Sequence, residues 1–455
     1  MPHGERCGSS TCKAGFARER ITPALGVPLA GYFAPRVSTG VLDDLEVKVV
    51  LFQGADGPVA GLVLLDLLCI SNELLSRIRA ALRADGFPAP EGLIVSATHT
   101  HTGPYVSELF GQECVRQAYL DEVARCTALA ARRALADLSP AELSCGRASR
   151  NALAFCRRFF MADGRVVTNP GKRNPAIRAP EGTVEREIRV LAVRREGELA
   201  AVLANIANHA DTTGGEQISR DWPGHLEARI QELAGRRLPV LALIAPSGNL
   251  NHFVVTSDEP QTSVAEARRI GQGYAEIVWG MMPDLIPIGT GRVRTDSARV
   301  PLALRLIPEE DLARARRLIE EADHGGLAGK ALTSEGLAEG DLASRRLFAR
   351  QLLEFARKKQ GRTQEYQVTA LKIGEGLAFV SLPGEPFAEI GIGIRQASPF
   401  AMTFAISHAN GACGYVPLAE CFPRGGYETL PTLGGGVRED SADRLIQGAL
   451  EALRR

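Results

Sequence analysis

Val59-Ala60-Gly61-Leu62-Val63-Leu64-Leu65 is an uninterrupted apolar run of one strand's length, and Leu93-Ile94-Val95-Ser96-Ala97-Thr98 is a second. A strand reads this way when both of its faces are covered, as in a parallel sheet. Between the two runs, Ser71 can cap a helix that places Leu74, Leu75, Ile78, Ala81 and Leu82 on one face and stops at Gly86. Strand, helix, strand at this spacing predicts a parallel crossover.

The same alternation continues outward. Leu45 to Phe52 reads as a strand before the first run, and Tyr119 to Leu138 as a helix after the second. Ile188 to Val193 and Leu199 to Ile206 form a hairpin across Glu196-Gly197-Glu198. Pro239 to Ala245, Leu377 to Leu382 and Ala401 to Ser407 are further buried strands. Pro308 opens a helix with Glu309, Glu310 and Asp311 in its first turn, where the helix dipole favours acid. A second helix spans Leu342 to Lys358, and its apolar face, with Phe348, Leu352 and Phe355, is expected to pack on the core. The linker His324 to Gly340 is rich in small residues and is expected at the surface. The pattern predicts an α/β fold: one domain over residues 1–455, a large mixed sheet with helices on its faces and a helical excursion at about 300–365.

Apolar residues make up 45% of the chain and charged residues 23%, which excludes disorder. Lys+Arg and Asp+Glu both number 53, so there is no electrostatic reason for a nucleic-acid or anionic-membrane partner. The nine cysteines are odd in number and scattered, unlike a disulfide framework; Cys7 and Cys12 read as free thiols near the terminus. Neither a secretory pattern at the start nor an apolar run of about 18 residues is present, and a cytoplasmic protein is expected.

Chemistry is concentrated where apolar strands run out. In Ala97-Thr98-His99-Thr100-His101-Thr102-Gly103-Pro104, histidines at i and i+2 of an extended segment share a face. Gly103-Pro104 places them at a strand's carboxyl end, where α/β sheets bind ligands. Taken alone, the pair is equally a metal site or two hydrogen-bonded structural histidines. Asn208-His209 follows the strand ending at Ile206, and a core histidine is the competing reading. Pro383-Gly384-Glu385 follows the strand ending at Leu382, with an exposed turn glutamate as the alternative. Two histidines and a glutamate from three strand ends are the ligand types that zinc takes.

These motifs, together with Ser219-Arg220-Asp221-Trp222-Pro223-Gly224 and Gly414-Tyr415-Val416, resemble the catalytic domain of the neutral/alkaline non-lysosomal ceramidases, from Ile21-Thr22-Pro23 to about Tyr427. The resemblance implies one zinc ion per chain held by His99, His209, Glu385 and Tyr415. It implies that His101 faces substrate and not metal, and that Tyr427 and an arginine hold the substrate carbonyl. Arg157 is the match, with Arg158 as the alternative in Cys156-Arg157-Arg158-Phe159.

The sequence departs from the family in three places. Its acidic, hydroxyl-bearing loop is replaced by Ser247-Gly248-Asn249-Leu250-Asn251-His252, whose amides Asn249 and Asn251 can hydrogen-bond a polar substrate. Neither the signal peptide nor the C-terminal β-sandwich of the family's secreted members is expected here. The function expected is therefore zinc-dependent hydrolysis of an N-acyl amide by metal-activated water. The partner is a soluble N-acylated amine, with true ceramide hydrolysis as the alternative. A serine hydrolase using Ser247 and His252 lacks the Gly-x-Ser-x-Gly elbow. A catalytically inactive zinc-binding scaffold would need neither His101 nor Tyr427.

Overall fold

Cys12–Arg20 (β1), Glu46–Gln53 (β2) and Val59–Leu65 (β3) form an antiparallel meander. Asn72–Ala84 (α1) then crosses over to Leu93–Ala97 (β4), which lies parallel to β3. Ser71 caps α1 as its sequence predicts, its Oγ accepting from Leu74 N at 3.1 Å, and Gly86 leaves the helix at φ 77°. Gln117–Ala136 (α2) leads into Ser139–Ser149 (β5). Glu187–Arg195 (β6) and Glu198–Ile206 (β7) make the expected hairpin; Glu196 and Gly197 turn it at φ 52° and 83°. Asp221–Ala234 (α3) crosses from β7 to the parallel strand Val240–Ile244 (β8), and Val264–Met281 (α4) packs on α3.

The remaining elements build a second sheet. Val293–Ala303 (β9) and Thr363–Ile373 (β10) are antiparallel partners over their full length. The excursion, Glu309–His324 (α5) and Leu342–Lys358 (α6), is inserted between them. Leu377–Ser381 (β11), Ala388–Ala397 (α7) and Met402–Ile406 (β12) form a third crossover, and Ser441–Arg454 (α8) closes the chain. The computed structural model describes residues 12–455 apart from 56, 108–116, 290, 325–331, 333–335 and 337–338. Cys7 and most of the predicted linker 324–340 lie outside the described residues. Among those described, no helix is long and apolar enough to cross a membrane.

The α/β class and its large mixed sheet with helices on its faces stand, and a second, smaller mixed sheet packs against the large one. The first has nine strands, in the order β8-β7-β6-β5-β1-β2-β3-β4, with the short strand Ile286–Pro287 beside β5. The second runs β9-β10-β11-β12. Their facing surfaces meet through Phe52, Leu62, Ile94, Leu203, Phe379 and Phe404, all fully buried. Helices α1 and α2 cover one half of the outer face of the first sheet and α3 and α4 the other, while α7 and α8 cover the second sheet. The order is thus helices, sheet, sheet, helices, which buries both faces of β3, β4, β8, β11 and β12. That burial explains the unbroken apolar run of β3. Strands β9 and β10 escape sequence reading because charged residues such as Arg294, Asp296 and Arg299 interrupt β9, and only alternate positions reach the core.

The large sheet curls. β1 pairs with β2 throughout but with β5 only over Cys12–Ala14. Beyond that corner Asp137 fills the gap, its carboxylate accepting from Phe16 N at 2.8 Å. The curl brings edge strands β4 and β8 near each other, and residues 407–410, just after β12, join them. Ser407 N donates to Ile244 O at 2.8 Å on one side, and Asn410 N donates to Val95 O at 2.8 Å on the other. The Asn410 side chain accepts from Val95 N at 3.0 Å, and Asn410 is 3% exposed. Asn410→Ala is expected to destabilise the fold by about 1–3 kcal/mol, since Val95 N loses its partner in a dry environment. Alanine also fits poorly at φ 56°. The readout is the urea denaturation midpoint; an unchanged midpoint would show that this junction contributes nothing.

Candidate metal centre and its cavity

All three parallel crossovers end at one place. His99 follows β4, His209 follows β7, Glu385 follows β11 and His408 follows β12. This is the carboxyl end of the strands, where ligands of α/β sheets bind.

The extended HxH geometry expected from the sequence is not what forms. β4 stops at Ala97 and His99 adopts a left-handed backbone, φ 63°. Its neighbours hold that conformation: Thr98 N donates to Leu65 O at 2.9 Å and His101 N to Ala210 O at 3.0 Å. The two rings still meet, with centroids 4.8 Å apart and Nε2 atoms 3.2 Å apart. His99 Nδ1 lies 2.7 Å from Leu68 O. A carbonyl only accepts, so Nδ1 carries the proton and the Nε2 lone pair faces the cluster. Gly31 makes room for the second ring, because a Cβ there would sit 2.4 Å from His101 Cγ.

His209 is braced by the Ser219–Gly224 motif. Trp222 Nε1 donates to His209 O at 2.8 Å, and the Asp221 carboxylate accepts from Thr212 N at 2.9 Å and Thr213 N at 2.6 Å. Glu385 pairs in register with Tyr415 across a short parallel bridge. Gly248 lies against it, since a Cβ would come within 2.3 Å of Glu385 O. Glu385 Oε2 stands 3.5 Å from His99 Nε2 and 3.4 Å from His209 Nε2, without a hydrogen-bond partner. Ligand atoms of His99, His101 and His209 all lie within 4.8 Å of one another.

Charge agrees with geometry. Burial pushes the His99 imidazole down to about 4 and lowers those of His101 and His408, so all three are neutral at pH 7. Burial works to raise the Glu385 carboxyl, but the imidazoles of His99 and His209 outweigh it and hold it well below the usual carboxylate range. Neutral nitrogens converging on one ionised, unpartnered carboxylate oxygen fit a divalent cation such as zinc. Tyr415 is less disposed to ionise: burial raises its phenol, while Arg157, 5.1 Å from the ring centroid, acts in the opposite sense.

A cavity of about 950 Å³ opens above this floor, and His101, Arg157, Tyr415 and Tyr427 line it. Arg157 is 5% exposed; its Nε donates to Glu428 at 2.8 Å, Nη1 lies 3.2 Å from His209 Nε2, and Nη2 is buried without a partner. Arg158 is spent on Glu181, Glu428 and the Gly425 carbonyl, so Arg157 is the arginine that faces the site. The opposite wall corrects the expectation for α6. Phe355 is buried in the core and Leu352 packs against it, but Leu352 also lines the cavity, with Phe348 and with Ala315 and Leu318 of α5. Phe348 sets its ring against Phe33 and Tyr427, with centroids 5.8 and 5.9 Å away.

Several predicted residues stand elsewhere. Asn249 is not on the cavity wall: its amide donates to Glu389 at 2.9 Å and accepts from Ala388 N at 2.9 Å, which fixes the start of α7. Asn251 is likewise engaged, donating to Asn169 at 2.8 Å and accepting from Phe253 N at 3.0 Å. The loop that departs from the ceramidase pattern is thus a brace. The serine dyad fails as well, because both His252 nitrogens are taken, by Asp211 at 2.9 Å and Gln261 O at 2.6 Å. Two residues went unread. Asp211 lines the cavity beside His101. His408 stacks on His99 at 3.9 Å and follows a buried strand just as His209 does, the same signal left unused.

No protein-family model and no curated protein sequence matches the chain. Solved structures do. A ceramidase complexed with C2 superposes with a TM-score of 0.72 at 18% identity, covering 97% of this chain and 74% of that one. The neutral ceramidase from Pseudomonas aeruginosa gives 0.73 at 18% identity, covering 98% and 75%. The chain has the fold of these enzymes, as the motifs implied.

Proposed function

We propose that the chain is a member of the neutral ceramidase family and a zinc-dependent hydrolase of N-acyl amide bonds. The observation that carries this reading is the unpartnered Glu385 oxygen facing His99 and His209 under the cavity that Arg157 and Tyr427 line. His99, His209, Glu385 and Tyr415 hold the ion, although His101 is as near to His99 as a ligand would be. Zinc bound there supplies a Lewis acid and a water acidic enough to attack at neutral pH. Arg157 Nη2 and the Tyr427 hydroxyl donate to the carbonyl oxygen as negative charge develops on it. His101, neutral and on the cavity wall, takes a proton from the attacking water and passes it to the departing amine. The apolar wall at Phe33, Leu318, Phe348 and Leu352 suits an apolar portion of such a substrate. A soluble N-acylated amine is the substrate proposed, with ceramide as the second reading on the strength of the shared fold.

The test pairs elemental analysis of the purified protein with a panel of N-acyl amines and ceramide. Zinc near one per chain, hydrolysis lost to a chelator and hydrolysis restored by zinc are expected. Activity that survives complete metal removal would overturn the reading, and stoichiometric zinc without any hydrolysis would establish the scaffold instead.

A further inference from the structure

The cations of α5 and α6 divide sharply. Arg314 pairs with Asp311, Arg316 with Glu309, Arg346 and Arg350 with Asp323, and Arg357 and Lys358 with Glu354. Arg317 and Arg345 have no carboxylate within salt-bridge distance among the described residues, and these two line the cavity. Among the described residues, Glu321 is the one cavity-lining carboxylate of the two helices not paired with an arginine, so these side chains leave a positive excess there. Arg345 lies one helical turn, about 5 Å, from Phe348, whose ring touches Tyr427. The polar floor, the apolar wall and the two cations therefore follow one another along a single cavity.

Resting on the reading above, we propose that Arg317 and Arg345 bind an anionic group carried by the substrate some way from its scissile amide. The preferred substrate class is then an N-acyl amine whose amine portion ends in a carboxylate, sulfonate or phosphate. Guanidinium forks match these planar or trigonal oxygens. Neutral ceramide would leave both arginines unused.

Two probes of equal length test this: 6-(dodecanoylamino)hexanoate and its neutral counterpart N-(6-hydroxyhexyl)dodecanamide. Wild-type protein is expected to favour the carboxylate by about tenfold or more in kcat/KM, a preference that shrinks as salt rises. The double variant Arg317→Gln/Arg345→Gln should lose that preference while keeping its rate on the neutral amide within about twofold. Both positions are exposed, so folding is not at stake. Equal effects on both probes, or no wild-type preference, would overturn the proposal. Calorimetric binding of the same probes separates the two readings. If neither is cleaved yet the carboxylate binds tighter and only with both arginines present, the anion site stands and the hydrolase does not.

Discussion

His209→Ala is expected to weaken metal binding by more than about 100-fold and to abolish hydrolysis with it. Loss of an outer hydrogen-bond partner alone costs 10- to 100-fold in comparable sites, and here a proposed ligand itself is removed. Its Nε2 faces the Glu385 carboxylate at 3.4 Å, and its ring centroid lies 4.7 Å from that of His99. Alanine fits the buried strand end, so circular dichroism should remain native while elemental analysis finds no zinc. Glu385→Gln should behave alike, because the amide removes the negative charge that the buried nitrogens face. Full zinc occupancy in either protein would refute the ligand assignment.

Tyr427→Phe should separate catalysis from metal binding. The zinc content is expected to stay unchanged while kcat falls by about 100- to 1000-fold, the usual cost of one oxyanion donor. Burial pushes the Tyr427 phenol upward, so it remains a donor throughout the physiological range. The ring itself is held by Phe33, Phe348 and Tyr415, contacts that phenylalanine keeps. A near-normal kcat would exclude the contact with the carbonyl. Tyr415→Phe is the useful contrast, since a proposed ligand should take metal with it.

The crossovers were legible because burial on both faces writes itself as apolar runs: β3 spans Val59–Leu65, as its sequence predicts. His99, His209 and Glu385 were legible for a related reason, each standing where such a run gives way to small polar residues. The same rule pointed to His408, which no motif singled out. Other features depend on partners distant in sequence. Whether Asn249 met substrate or Ala388 N could not be read locally, because α7 lies more than a hundred residues away. Nor could the face of α6 be assigned: its apolar stripe is continuous, but Phe355 enters the core while Phe348 borders a cavity. The second sheet was hidden because β9 shows the core only alternate residues.

The bridge at residues 407–410 ties together the two regions of the sheet that carry the proposed ligands His99 and His209. His99 leaves the β4 edge of the large sheet, while His209 leaves β7, next to the opposite edge. The gap between the two imidazoles therefore depends on the curl of the sheet that the bridge holds. An ion held by both histidines would bind only the curled sheet and act as a clasp on it. By mass action, a free-ion concentration one hundred times the dissociation constant would add about 2.7 kcal/mol to the stability of the folded state.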